Sequence, residues 1–313
     1  MRLLKLYSTI LLLFSLLLLC SCNETENPVS SQDSSSVYSK ETSEENVESK
    51  VETSSSTDIS VGDGKYADEG ELKIRIFKMG KSDAYLLRTK SNTILIDCGD
   101  VDDSQEILDY FTEKSLKRID YLIITHLDKK SIGGAAALVS ALDVGKIYEP
   151  DYTKNSTEYL DLSNSINSKN LSSIKVNSNI TLEIDDIVVK ISPCEKSYYS
   201  DDDNYSSVIS ITHKDNSFLF VGDAKSDRIK EIVSMDNIQH DFLMMPDNGA
   251  YDVETSNLIN TVSPLYAAIT CSLSNPASSE VLELLSDKSI NTYMTVNGSV
   301  KITSNGSTIT IEQ

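Results

Sequence analysis

Ile123-Ile124-Thr125-His126-Leu127-Asp128-Lys129-Lys130-Ser131-Ile132-Gly133-Gly134 is the stretch around which the chain is organised. The apolar run 121–124 reads as a buried strand. It ends in a polar turn, and Ile132-Gly133-Gly134 opens an Ala-rich run over 135–142 that predicts a helix. Polar side chains gathered where a strand gives way to a helix lie at the rim of a sheet, a common place for a ligand or a reaction. His126, Asp128, Lys130 and Ser131 are therefore the first candidate site residues.

Upstream, residues 72–77 alternate apolar with charged side chains and predict a half-buried strand. Two more strands follow at 85–87 and 94–96, around the turn Ser91-Asn92, and Asp97-Cys98-Gly99-Asp100 closes the third. Residues 103–114 have helical spacing through Ile107, Leu108 and Phe111. Downstream, 151–170 is polar with room for one weak helix, and 174–176, 180–184 and 187–191 read as strands. The acidic run Asp201-Asp202-Asp203 lacks the spaced ligands and the turn glycine of a Ca²⁺ loop and reads as a solvated loop. Residues 217–224 and 241–245 predict strands on either side of a helix over 227–233. Asn297-Gly298 and Asn305-Gly306 read as hairpin turns among the closing strands. Two successive strand-rich halves, each with interleaved helices, predict an α+β fold.

The central stretch resembles the metal-binding turn of the metallo-β-lactamase superfamily, T-H-x-H-x-D-H-x-G-G. His126 matches the first histidine, and Asp128 stands where the second would be. The family's aspartate falls on Lys130 and its last histidine on Ser131. Residues 77–84, 94–99 and 119–126 are similar to the ComEC/Rec2-like competence branch, with F-x-D-V-G-Q-G-D-A, I-L-I-D-A-G and I-D-Y-L-I-L-T-H. On that resemblance, Asp83 and Asp97 brace turns beside the site. Ser217-Phe218-Leu219-Phe220-Val221-Gly222-Asp223-Ala224 resembles S-F-L-L-T-G-D-A, whose aspartate bridges two metals. Pro246-Asp247-Asn248-Gly249-Ala250 stands where the family has G-H-H-G-S, so both histidines are replaced.

The resemblance implies a four-layer αββα sandwich over residues 71–311, built for hydrolysis by a metal-bound hydroxide. The ligands it leaves are His126, Asp128 and Asp223. A dinuclear site needs more histidines than this, and the Lys130 ammonium would oppose a second cation. Lys130 is expected to pair with Asp223 or Asp247. The expectation is a binding or scaffolding module without a cofactor, and an unidentified small ligand or cell-surface protein as partner. The alternative is a metal-dependent phosphodiesterase-like hydrolase with one Zn or Mn ion. Of the three histidines in the chain, His213 and His240 lie at strand ends and read as structural.

The N-terminus reads differently. Two positive charges precede an apolar run over 11–19 that is short for a membrane span, and Leu19-Cys20-Ser21-Cys22 follows. This resembles a bacterial lipobox, which implies a signal peptide over 1–21 and a diacylglycerol on Cys22. Residues 23–70 hold twelve Ser and twelve Asp or Glu against three Lys, a composition that cannot bury enough apolar surface to order itself. The expected layout is a signal peptide over 1–21, a lipid-anchored tether over 22–70 and a sandwich over 71–313, on the outer side of the cell membrane. A net charge of −20 is a poor match for nucleic acid, whose binding rests on phosphate neutralisation. Of the remaining cysteines, Cys98, Cys194 and Cys271 show no C-x-x-C spacing and read as free thiols.

Overall fold

Alternation along the strands sets up three apolar layers. In the computed structural model, which describes residues 66–313, Leu72, Ile74 and Ile76 point to one side of strand β1 (Leu72–Ile76) and Lys73 and Arg75 to the other. Strands β2 (Tyr85–Arg88), β3 (Thr93–Ile96) and β4 (Arg118–Ile123) run beside it. Strands β5 (Asp143–Pro150) and β6 (Ser173–Val176) extend the sheet on one side. Strands β14 (Val300–Ser304) and β15 (Ile309–Glu312) extend it on the other, in the order β15-β14-β1-β2-β3-β4-β5-β6. Pairing is parallel from β3 to β6 and antiparallel elsewhere.

The second sheet contains β7 (Ile180–Ile184), β8 (Ile187–Ser192), β9 (Val208–His213), β10 (Asn216–Phe220), β11 (Phe242–Met244), β12 (Tyr266–Ile269) and β13 (Asn291–Met294). They stand in the order β13-β12-β11-β10-β9-β8-β7, parallel from β10 to β13 and antiparallel from β7 to β10. Phe218, Phe220 and Phe242 meet Tyr85, Ile94 and Ile96 between the two sheets. On the outer face of the first sheet, Leu86, Leu95 and Leu122 pack with residues of α1 (Ser104–Glu113), α3 (Ala135–Ala141) and α4 (Thr157–Ser168). On the outer face of the second, Leu219, Leu243 and Ala267 pack with α5 (Ser226–Val233), α6 (Thr255–Val262) and α7 (Ser279–Asp287). Helices outside and two mixed sheets inside make the expected α+β sandwich of four layers.

The one helix allowed for in the polar stretch 151–170 forms as α4, twelve residues long, with the Ser156 hydroxyl accepting the Tyr159 N–H. Other expectations need correction. Asn297-Gly298 is not a hairpin turn. It carries the chain out of β13 in the second sheet to β14 in the first, whereas Asn305-Gly306 does join the antiparallel pair β14 and β15. A short helix, α2 (Lys129–Ile132), forms within the central turn. Residues 66–70, assigned by composition to the tether, belong to the fold: the Ala67 N–H donates to the Thr89 carbonyl, and Tyr66 packs on the core. The predicted signal peptide, Cys22 and the tether up to residue 65 lie outside the described residues. Among the described residues, no helix is long and apolar enough to cross a membrane, and Cys98, Cys194 and Cys271 are free thiols.

Candidate functional site

The parallel strands of both sheets end on one rim. Asp97 follows β3, Thr125 and His126 follow β4, and Asp223, Asp247 and Thr270 follow β10, β11 and β12. The turns that carry them touch one another. The Ser207 N–H donates to the Thr125 carbonyl (2.8 Å), and the Asn248 amide donates to the Lys81 carbonyl (2.9 Å) and the Thr270 hydroxyl (3.0 Å). Thr270 in turn donates to Asp83 (2.7 Å). Gly-Gly at 133–134 brings the central turn against β3's exit. A Cβ on Gly134 would stand 2.3 Å from the Cys98 carbonyl oxygen, so only glycine fits.

At the centre is a relay of hydrogen bonds. Asp97 is fully buried, with φ of +56°, and accepts the Thr125 N–H (2.8 Å) and hydroxyl (2.6 Å). With its proton given to Asp97, the Thr125 oxygen accepts from His126 Nδ1 (2.8 Å). The other ring nitrogen, Nε2, faces Asp223 Oδ2 at 3.5 Å and Ser131 Oγ at 3.4 Å. Burial by itself disfavours a charged ring, but the Asp223 carboxylate, with Asp97 and Asp203 behind it, outweighs burial and raises the His126 pKa to about 9. His126 is thus an imidazolium at neutral pH. Asp223 is held below the usual carboxylate range, because His126 and Lys130 overcome the effect of burial. Asp83 and Asp97 are pushed up to about 7, mainly by burial, with the Asp223 charge adding to both.

Lysines take the remaining carboxylates. Lys225 lies 2.7 Å from Asp203, 3.2 Å from Asp201 and 4.0 Å from Asp247. Lys154 lies 3.5 Å from Asp128 and 3.3 Å from Asp202. The expected pairing of Lys130 is not made: among the described residues it forms no ion pair, and it acts on Asp223 and Asp247 only through its charge at longer range. Burial and the Asp223 charge push Asp247 up to about 6.

Of the predicted ligands, His126 and Asp223 come together and Asp128 does not join them. Its place is taken by Asp203: one donor atom each of His126, Asp203 and Asp223 lie within 4.8 Å of one another. The acidic triplet gave no signal for this, because only folding brings the short helical turn Asp202–Tyr205 to the rim. Asp83 and Asp97 are buried, in the turns beside the site.

A profile of the metallo-β-lactamase superfamily matches residues 78–253, more than half of the chain. The chain belongs to the metallo-β-lactamase superfamily. Among solved structures it is similar to the metallo-β-lactamase fold protein YhfI of Bacillus subtilis, at 12% identity and a TM-score of 0.50, over 77% of this chain and 100% of that one. It also matches CmlA, a diiron β-hydroxylase of Streptomyces venezuelae, at 13% identity and a TM-score of 0.46, over 73% of this chain and 53% of that one. A third is the short form of human tRNase Z, at 13% identity and a TM-score of 0.43, over 66% and 96%. No curated protein matches the chain by sequence.

The superfamily's metals can be tested against these donors. Two Zn²⁺ ions do not fit a single histidine whose two nitrogens already face Thr125 and Asp223. The local cations compete as well, since Lys225 neutralises Asp203 and His126 carries a proton that a metal would have to displace. One observation points the other way: Asp223 Oδ1 is buried without a hydrogen-bond partner.

Proposed function

We propose that this metallo-β-lactamase domain is a binding or scaffolding module rather than a metal-dependent hydrolase, carried on the outer membrane face by a lipid on Cys22. The reading of its branch as ComEC/Rec2-like rests on the motifs at 77–84, 94–99 and 119–126. The anchor rests on the lipobox ending at Cys22. The observation that carries the proposal is the His126–Asp223 pair. A buried imidazolium sits against the carboxylate at the position of the family's bridging ligand, and supplies the positive charge that a metal would otherwise bring. The role left for the rim is structural, and the partners sought are a small ligand or a cell-surface protein.

Metal titration by calorimetry, with elemental analysis, tests this reading. The parent is expected to hold no stoichiometric Zn²⁺ or Mn²⁺. The combined variant Lys130→Asp, Ser131→His and Asp247→His restores donors at three family positions and should raise Zn²⁺ affinity at least about tenfold. Two tightly bound Zn²⁺ ions in the parent, with phosphodiester hydrolysis, would overturn the proposal. A second reading, a reduced mononuclear hydrolase, is favoured by the unpartnered Asp223 Oδ1 and the convergence of His126, Asp203 and Asp223. It predicts one Zn²⁺ or Mn²⁺ per parent chain and hydrolysis that a chelator abolishes.

A further inference from the structure

A groove lies away from the strand-end rim, on the outer face of the second sheet. It has a volume of about 770 Å³, and its walls include Ser192, Cys194, Asn237 and His240. The alternation of β8 and β9 sets what it presents. Val189, Ile191, Ile209 and Ile211 turn into the core between the sheets, so Lys190 and Ser210 turn outward. These two residues stand directly opposite each other in the antiparallel pair, with side chains on the same face.

Ser210 Oγ lies 2.7 Å from His240 Nε2, and His240 Nδ1 lies 2.9 Å from the Ile238 carbonyl oxygen. A carbonyl can only accept, so Nδ1 carries the proton and Nε2 presents a lone pair to the Ser210 hydroxyl. Burial lowers the pKa of His240, and the Lys190 charge adds to this against the Ile238 carbonyl and Asp241. The ring is therefore neutral at physiological pH, which a proton acceptor requires. His240 is buried while Ser210 is partly open to the groove. A hydroxyl bonded to a neutral imidazole, which is in turn oriented through its other nitrogen, is the arrangement of an activated nucleophile.

We propose that Ser210 and His240 form a nucleophile–base pair that cleaves small polar carboxylic esters in this groove without a metal, independently of how the strand-end rim is read. Ser210 Oγ forms a bond to the ester carbonyl carbon as its proton passes to His240 Nε2. The carbon–alkoxide bond then breaks, and Nε2 returns the proton to the leaving alcohol, leaving an acyl group on Ser210. Water attacks this acyl-serine, giving a proton to Nε2. The Oγ–acyl bond breaks, Oγ regains a proton and the carboxylic acid departs. The Lys190 ammonium, on the same face as Ser210, supplies positive charge for the oxyanion. The hydrophilic walls favour short acyl groups on polar alcohols.

A fluorophosphonate probe with peptide mapping by mass spectrometry tests the pair in the full chain. The expected result is an adduct on Ser210 that forms equally well with a chelator present and is absent from Ser210→Ala. In His240→Gln it should form at least about 10²-fold more slowly, the usual size of a general-base contribution. No adduct on Ser210 in the parent chain overturns the proposal, whether or not either variant folds. Equal labelling rates in the parent and a folded His240→Gln chain, judged by circular dichroism, also overturn it.

Discussion

His126, Asp83 and Asp97 hold protons in the folded protein that they would release when unfolded, and together they outweigh the opposite contribution of His213 and His240, whose pKa values burial lowers. Asp83 and Asp97 rise from 3.8 to about 7, so the folded state binds more protons than the unfolded state between these values. His126 rises from 6.5 to about 9 and does the same over that higher window. Stability from a group with a raised pKa is fully present below its unfolded value and lost as pH rises through the folded one. The urea midpoint should therefore fall from about pH 5 to about pH 9. A midpoint that climbs across this range would contradict the protonated assignments. At this scale the sequence is informative about identity and silent about partners. His126 and Asp223 could be picked out because each sits in a recognisable strand-end motif. Asp203 could not, since its neighbours in sequence are also acidic and only folding gives it Lys225 and His126.

Turns, more than strands, set the geometry of the rim. The central turn fits against the exit of β3 because Gly134 leaves room for the Cys98 carbonyl, and the Gly134 N–H donates to the Gly99 carbonyl. Gly134→Ala would put a Cβ 2.3 Å from a backbone oxygen, which no side-chain rotation relieves. It should cost about 1–3 kcal/mol, read as a lower midpoint in chemical denaturation with the sandwich retained by circular dichroism. An unchanged midpoint would mean that the two turns are less closely seated than described. Strand assignments from alternation hold because each strand has one face between the sheets. The Asn297-Gly298 turn shows the limit of local reading. The dipeptide suits a hairpin, but β13 pairs in parallel with β12 and its successor β14 pairs with β1, so the chain changes sheet there.

Across the whole molecule, acidity follows from composition. The proposed lipid anchor predicts that Cys22→Ser releases the protein from membranes into the soluble fraction. Retention of that variant on membranes would show that something other than the lipobox holds it there. The sequence by itself determined the α+β class, because period-two apolar patterns, glycines in tight turns and strand-end polar residues are local signals that pair in only a few ways, and the family resemblance of its motifs added the four-layer sandwich. It also marked the loss of the family's histidines, which is visible residue by residue. Only the tertiary structure decided how the remaining groups are neutralised. Lys225 reaches Asp203 across 22 positions in sequence and Lys154 reaches Asp128 across 26, while Lys130, adjacent to Ser131, forms no ion pair among the described residues. The protonation of His126 and the meeting of Ser210 with His240 likewise depend on burial and on contacts between distant segments. Such pairings are set by the packing of layers, and no local pattern in the chain encodes them.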